Sequence, residues 1–139
     1  MRSGAVEQRV AMAQTSTEIA ARLPDLEVLV TQIVAYYEGG DLEQFVGLFD
    51  ADSLGVVEAY RIRSNFDDFF RATTTRRLRI RQVSWNPAEG KLRAKGQAIV
   101  AAEYRDTTSR LERGVNLEID VVMRGGSPRI ARLSLFPHE

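Results

Sequence analysis

The sequence predicts a single α+β domain, with helices first and a strongly curved, mainly antiparallel sheet after them. Three observations predict it. Apolar residues between Leu26 and Tyr37 recur at helical spacing, and after Thr75 the repeat of the pattern changes to two. The breaks between the later runs are too short for anything but an antiparallel meander. At 139 residues the chain is the size of one ordinary domain. A globule of this length buries roughly two-thirds of its unfolded surface, enough for a core without covalent staples.

Residues 1–23 read as a tail or a short helix, and 24–139 as the domain. Leu26, Leu29, Val30, Ile33, Val34 and Tyr37 form one helical stripe, with Pro24, Asp25 and Glu27 suited to a first turn and Gly39-Gly40 to a stop. Asp41 then caps a second short helix whose buried stripe is Leu42, Phe45, Val46 and Phe49; Gln44 stands where a capping box needs it. Leu54 to Ala59 leans towards strand. A third helix is predicted over residues 60–73, with Ile62, Phe66, Phe69, Phe70 and Thr73 on one face.

Four strands follow, over Arg76–Trp85, Lys91–Arg105, Arg110–Arg124 and Arg129–Phe136, separated by turn-rich segments. Pairing Tyr104 with Leu111 sets Val100 against Val115, Ala98 against Leu117, Gly96 against Ile119 and Ala94 against Val121. The opposite face then matches Lys95 with Asp120 and Gln97 with Glu118. Across the next turn Val121 meets Leu133 and Ile119 meets Leu135. Apolar faces apolar and charges complement each other. In the first strand Leu78 and Ile80 share one parity while Val83 and Trp85 take the other, which requires either a bulge or a rim buried on both sides. Gly96 marks a place where its strand can bend. Ile99, Val122, Ile130 and Phe136 are assigned to the outward face.

Composition excludes several function classes. With no cysteine, disulfides, thiol chemistry and cysteine-ligated metals are ruled out, and one histidine, His138, makes a poor start for a zinc, copper or haem site. No metal and no cofactor are expected. No run approaches the roughly 20 apolar residues that span a bilayer. Glu7, Gln8 and Gln14 interrupt any signal-peptide core. The pattern reads as cytoplasmic with no membrane partner, a leader ahead of residue 1 being left open. Net charge is zero, yet residues 1–60 carry ten acids and three bases (−7) and residues 61–139 nine acids and sixteen bases (+7). Acidic helices packed over an arginine-bearing sheet would neutralise this within the fold. No nucleic-acid partner is expected, since such proteins show an uncompensated basic stripe.

The order of elements, and particular residues in it, resemble the nuclear-transport-factor-2-like (NTF2-like) superfamily, including its SnoaL-like group. Those residues are Tyr36-Tyr37-Glu38-Gly39-Gly40-Asp41-Leu42 through Leu48-Phe49, then Ile62, Phe66, Phe69, Phe70, Thr73 and Arg76-Arg77. Trp85 before a Gly-bearing turn, and Ile130 with Leu133, extend the resemblance over roughly residues 24–136. It implies helices roofing a cone-shaped sheet with an apolar interior. It leaves activity open, because such families contain isomerases, dehydratases and cyclases beside members that only bind.

Ketosteroid isomerase, which the chain resembles at the Gly-Asp junction, implies a tyrosine on the first helix, a carboxylate base and a late-strand acid. The tyrosine position falls on Ile33 and the base position on Val57 or Glu58, while the inward strand residues supply no acid. Glu58 is therefore the one candidate general base, a carboxylate suited to proton abstraction if it stands at the lip of an apolar cavity. A solvated residue near the start of the third helix is the competing reading. Tyr36, Tyr37, Tyr60, Phe66, Phe70, Trp85 and Tyr104 are the candidate pocket lining. Arg76, Arg77, Arg79 and Arg81 form a basic run, expected to be neutralised across strands by Glu103, Glu118 and Asp120. The function that fits is a non-catalytic module binding a small apolar ligand or a protein, dimeric through its sheet. The alternative is a cofactor-independent isomerase, dehydratase or cyclase with Glu58 as base.

Overall fold

A computed structural model describes residues 2–107 and 109–137, and side chains from Ile19 onward. The chain order is α1 (Arg2–Gly39), α2 (Leu42–Val46), α3 (Ala51–Ala72), then β1 (Thr73–Ala88), β2 (Lys91–Tyr104), β3 (Arg110–Arg124) and β4 (Ser127–Pro137). The strands form one antiparallel meander in that order, and three helices pack on its concave face.

Helix α1 buries Leu26, Leu29, Ile33 and Tyr37, the stripe that helical spacing predicts. It starts at Arg2, well before Pro24, which lies inside it. A proline there withholds one intrahelical donor, so tertiary packing rather than local propensity carries the helix across that turn. Gly40, at φ +65°, ends the run, and the Asp41 N–H returns to the Tyr36 carbonyl at 3.0 Å. Asp41 caps α2 by accepting the Gln44 N–H at 3.3 Å. Helix α3 begins nine residues before the predicted start: Leu54 to Ala59, read as strand-like, is helical around a kink at Gly55 (φ 78°, ψ 167°). Asp50 caps this turn through the Ser53 N–H and hydroxyl.

The sheet keeps the predicted inward parity, though Leu111 at the start of β3 is 41% exposed, and it slides the predicted pairs by two residues. Ala98 lies opposite Val115, Gly96 opposite Leu117, and Ala94 opposite Ile119. A slide of two preserves side-chain parity, so hydrophobic alternation alone cannot exclude it. The turn decides: the Tyr104 N–H donates to the Ser109 carbonyl at 3.0 Å, which centres the connection one residue earlier than predicted. On the outward face Asp120 therefore meets Arg93, and Lys95 meets Glu118. Ile119 likewise meets Leu133, and Leu117 meets Leu135.

Past a register shift at Asp120/Val121, Val121 pairs with Ile130. That shift turns Ile130 inward, fully buried, and corrects its predicted outward position. Of the two readings of β1, the structure has the bulge: pairing skips between Arg81 and Ser84, with Gln82 at φ 54°. The bulge sits directly on Gly96, where an added Cβ would lie 2.9 Å from the Arg81 carbonyl oxygen and 3.2 Å from the Val83 Cα. Gly96 thus permits a close backbone approach between two strands, and the bulge sharpens the curvature there.

Candidate functional site

The concave side of the sheet presents Ala94, Ala98 and Ala102 from β2 and Val115, Leu117, Ile119 and Val121 from β3, all buried. None of these carries a charge. Small residues on β2 leave volume beneath the helices, and aromatic rings fill it. Phe45 of α2 is fully buried, with ring centroids of Phe66, Phe49, Phe70 and Tyr37 at 4.5, 5.6, 5.9 and 6.3 Å. Tyr37 also faces Phe69 at 5.6 Å, and Phe69 meets Tyr104 edge-on at 6.4 Å. Offset and edge-on rings of this kind add directional attraction to the burial of their surface.

Of the predicted lining, Tyr37, Phe66 and Phe70 come together in this cluster, and Tyr104 joins its margin through Phe69. Tyr36 and Trp85 pack against the core from partly buried positions. Tyr60 does not line the interior: it is 72% exposed, on the side of α3 away from the core. Glu58 lies one turn before Ile62, beside the exposed Val56 and Val57 of α3. Its side chain is half exposed and faces Arg61 at 3.7 Å. Ile33, in the position where the isomerase resemblance implies a tyrosine, is buried apolar core. His138 lies outside the described residues.

Sequence reasoning missed Arg76, which it treated as one member of a basic run. Its Nε donates to the Tyr37 carbonyl at 3.1 Å, and Nη1 donates to the Thr73 hydroxyl at 2.7 Å and to the Thr73 and Phe70 carbonyls at 3.1 and 3.4 Å. The guanidinium also stands over the Phe70 ring at 5.4 Å. One cation thus ties together the C-terminal ends of α1 and α3, where helix dipoles favour positive charge. A Cβ at Gly40 would collide with Nη2 at 2.6 Å, so the glycine serves this close approach as well as its own backbone angle. Arginine at the sheet entrance and glycine after the first helix are both legible, but nothing in the sequence joins them.

Electrostatics divide in the same way. Burial raises the Tyr37 phenol to about 12, neighbouring Tyr104 adds to the shift and Arg76 opposes it, so the group stays protonated at neutral pH. The depressed carboxylates are elsewhere. Hydrogen bonds from Arg124, then Ser53, hold Asp50 below the usual range. On the outward face Arg93 grips Asp120 at 2.7 and 3.2 Å, and Arg132 adds a bond at 3.1 Å. These bonds lower Asp120 against the opposing effect of burial, the Arg93 bond most strongly. Among the described residues no group of three or more histidine, aspartate or glutamate side chains could hold a metal ion. No helix among them is long and apolar enough to cross a membrane.

A cleft of about 410 Å³ opens at the far end of the sheet, where β3 runs on past its last pair with β2 at Leu92–Val121. Leu92, Val121, Met123 and Pro87 give it apolar walls, and Arg22 of α1, Lys91 and Arg124 supply its cations. None of the seven predicted lining residues borders it.

No family model matches the chain, and no curated protein matches it. Solved structures do. A protein from Streptomyces avermitilis, provisionally named a dehydratase of the NTF2-like family, superposes with a TM-score of 0.74 at 9% identity, over 86% of this chain and 99% of that one. The fold is NTF2-like. A second match by shape, provisionally named a scytalone dehydratase, comes from Novosphingobium aromaticivorans, with a TM-score of 0.75 at 10% identity over 86% of each chain. The protein Bd1075 of Bdellovibrio bacteriovorus matches over 88% of this chain but only 43% of its own, with a TM-score of 0.70 and 15% identity. At such identities the likeness extends to the NTF2-like fold alone.

Proposed function

We propose that the protein is a non-catalytic NTF2-like binding module. One observation carries this reading: the space beneath the helices is filled by the protein's own rings, with no carboxylate among the inward residues of the sheet. A cofactor-independent acid–base reaction needs a base and an oxyanion donor converging on one open space. The provisional dehydratase names of the two neighbours favour the alternative, an isomerase, dehydratase or cyclase with Glu58 as general base. Its half-exposed position beside Arg61 counts against that alternative. The 43% coverage of the longer Bdellovibrio chain supports the idea that such a fold can serve as one part of a larger protein.

The ligand we assign to the module is small and apolar, held in the cleft between Arg22 and the β1–β2 turn. Its volume of about 410 Å³ lies within the range of small-molecule sites, roughly 300–1,000 Å³. Backbone NMR during titration with a panel of small apolar compounds tests this. Shifts should gather at Leu92, Val121 and Met123; a panel that moves none of them, or that moves Phe66 and Phe70 instead, removes the cleft from the account.

The same reading includes a homodimer through the β3–β4 half of the outward face, where Val122 and the 41%-exposed Phe136 lie among the charges. Sedimentation at tens of micromolar should give a dimer, and a strict monomer would end that part of the proposal.

A further inference from the structure

The arginines of β1 are not neutralised as the sequence suggests. Arg77, Arg79 and Arg81 are exposed at alternate positions, and their cross-strand neighbours on β2 are Ala101, Ile99 and Gln97. None of these neighbours is acidic. Of the carboxylates expected to serve them, two are engaged elsewhere and Glu103 forms no ion pair with them. Asp120 is taken by Arg93 and Arg132, Glu118 by Arg132 at 2.8 Å and Arg93 at 3.6 Å, and Glu103 lies opposite Thr75 and Arg110. Among the described residues no carboxylate pairs with Arg77, Arg79 or Arg81. They form a row along β1, an edge strand of the sheet, with the Leu78 N–H between them donating to the Glu38 carboxylate of α1 at 3.0 Å.

We propose that this row is a docking surface for an extended acidic segment of a partner protein, with Asp or Glu at alternate positions. Two properties select that partner. Successive same-face residues of a strand repeat at about 6.6 Å, so carboxylates spaced i, i+2, i+4 on an extended segment match the three guanidinium groups one to one. Each match is the planar two-bond pairing that arginine makes with a carboxylate. The row is also narrow. Glu118 and Asp120 lie two strands away, the protein has zero net charge, and residues 19–60 carry eight acids against one base. A nucleic acid or an anionic bilayer spreads negative charge over a wider area than this one strand presents.

The inference rests on the binding-module reading but not on the cleft, so an empty cleft leaves it standing. Dimerisation on the β3–β4 half leaves the β1 row open.

Fluorescence anisotropy with the full chain tests it, using a labelled peptide of alternating Glu and Thr. The comparison probes are a peptide of the same composition with its Glu in one block, a short single-stranded oligonucleotide, and phosphatidylserine vesicles. The alternating peptide should bind best, weaken about tenfold or more from low to physiological salt, and lose binding in Arg77→Gln/Arg79→Gln/Arg81→Gln. A charge-matched control, Arg61→Gln/Arg71→Gln/Arg105→Gln, should retain it. If the triple variant does not fold, Arg79→Gln alone should weaken binding at an unchanged melting temperature. Absence of peptide binding, equal binding of the block peptide, tighter binding of the oligonucleotide or vesicles, or equal loss in the control would overturn the proposal.

Discussion

Gly96 governs how closely β1 approaches β2, because the bulge at Gln82–Val83 rests where a side chain would project. Gly96→Ala forces backbone against backbone and should cost about 1–3 kcal/mol, as overpacking usually does. Gly114→Ala, whose Cβ would meet nothing within 4 Å, should stay within about 0.5 kcal/mol. Urea denaturation of the pair separates the two cases. Asp50 and Asp120 make a second prediction at this scale. Both are held below the ordinary carboxylate range, so on acidification the unfolded chain takes up protons before the folded one does. Stability should therefore be full above the ordinary value of about 4. It should fall as pH drops from there through the depressed folded-state values. Asp120→Asn should flatten that acid limb in thermal melts; a limb that keeps its shape in Asp120→Asn and Asp50→Asn alike would contradict the assignment.

The elements differ in how much of them the sequence announced. The α1 stripe, the Asp41 cap and the turns flanking β2 and β3 are readable because each rests on local periodicity or on one capping group. The two-residue slide of the β2–β3 register was not readable, since alternation fixes a face and leaves the pairing to the turn. The helical stretch from Ala51 to Ala59 was missed because Val56 and Val57 favour strands, whereas the Asp50 cap fixes the first turn. In the site, Tyr37, Phe66 and Phe70 were legible as inward residues, but their packing into one another was not, because ring-to-ring contact is set by the approach of three separate helices. Phe45 joins those helices most closely. Phe45→Ala should cost about 3–5 kcal/mol, with loss of the near-ultraviolet aromatic dichroism before the far-ultraviolet helical signal. A loss under about 1 kcal/mol would mean the rings do not pack around it.

At the scale of the molecule, the fold keeps helices and sheet as oppositely charged layers joined by few ion pairs. Asp50 with Arg124 is one that crosses between them, while Arg63 pairs with Glu43 and Arg71 with Asp67 inside the helical layer. The surplus charge of each layer is thus left largely unpaired between them, where the −7/+7 split of the sequence suggested neutralisation within the fold. On the proposed reading, an NTF2-like cone packed by its own phenylalanines would recognise a partner through its surfaces rather than its interior.

The most direct measurement is turnover by the wild type and Glu58→Gln against a panel of ketones, hydroxy-ketones and polyketide-like compounds, followed by loss of substrate. The account predicts no conversion above buffer by either protein, or the same trace conversion by both. Conversion by the wild type that Glu58→Gln abolishes, at unchanged melting temperature, would contradict it.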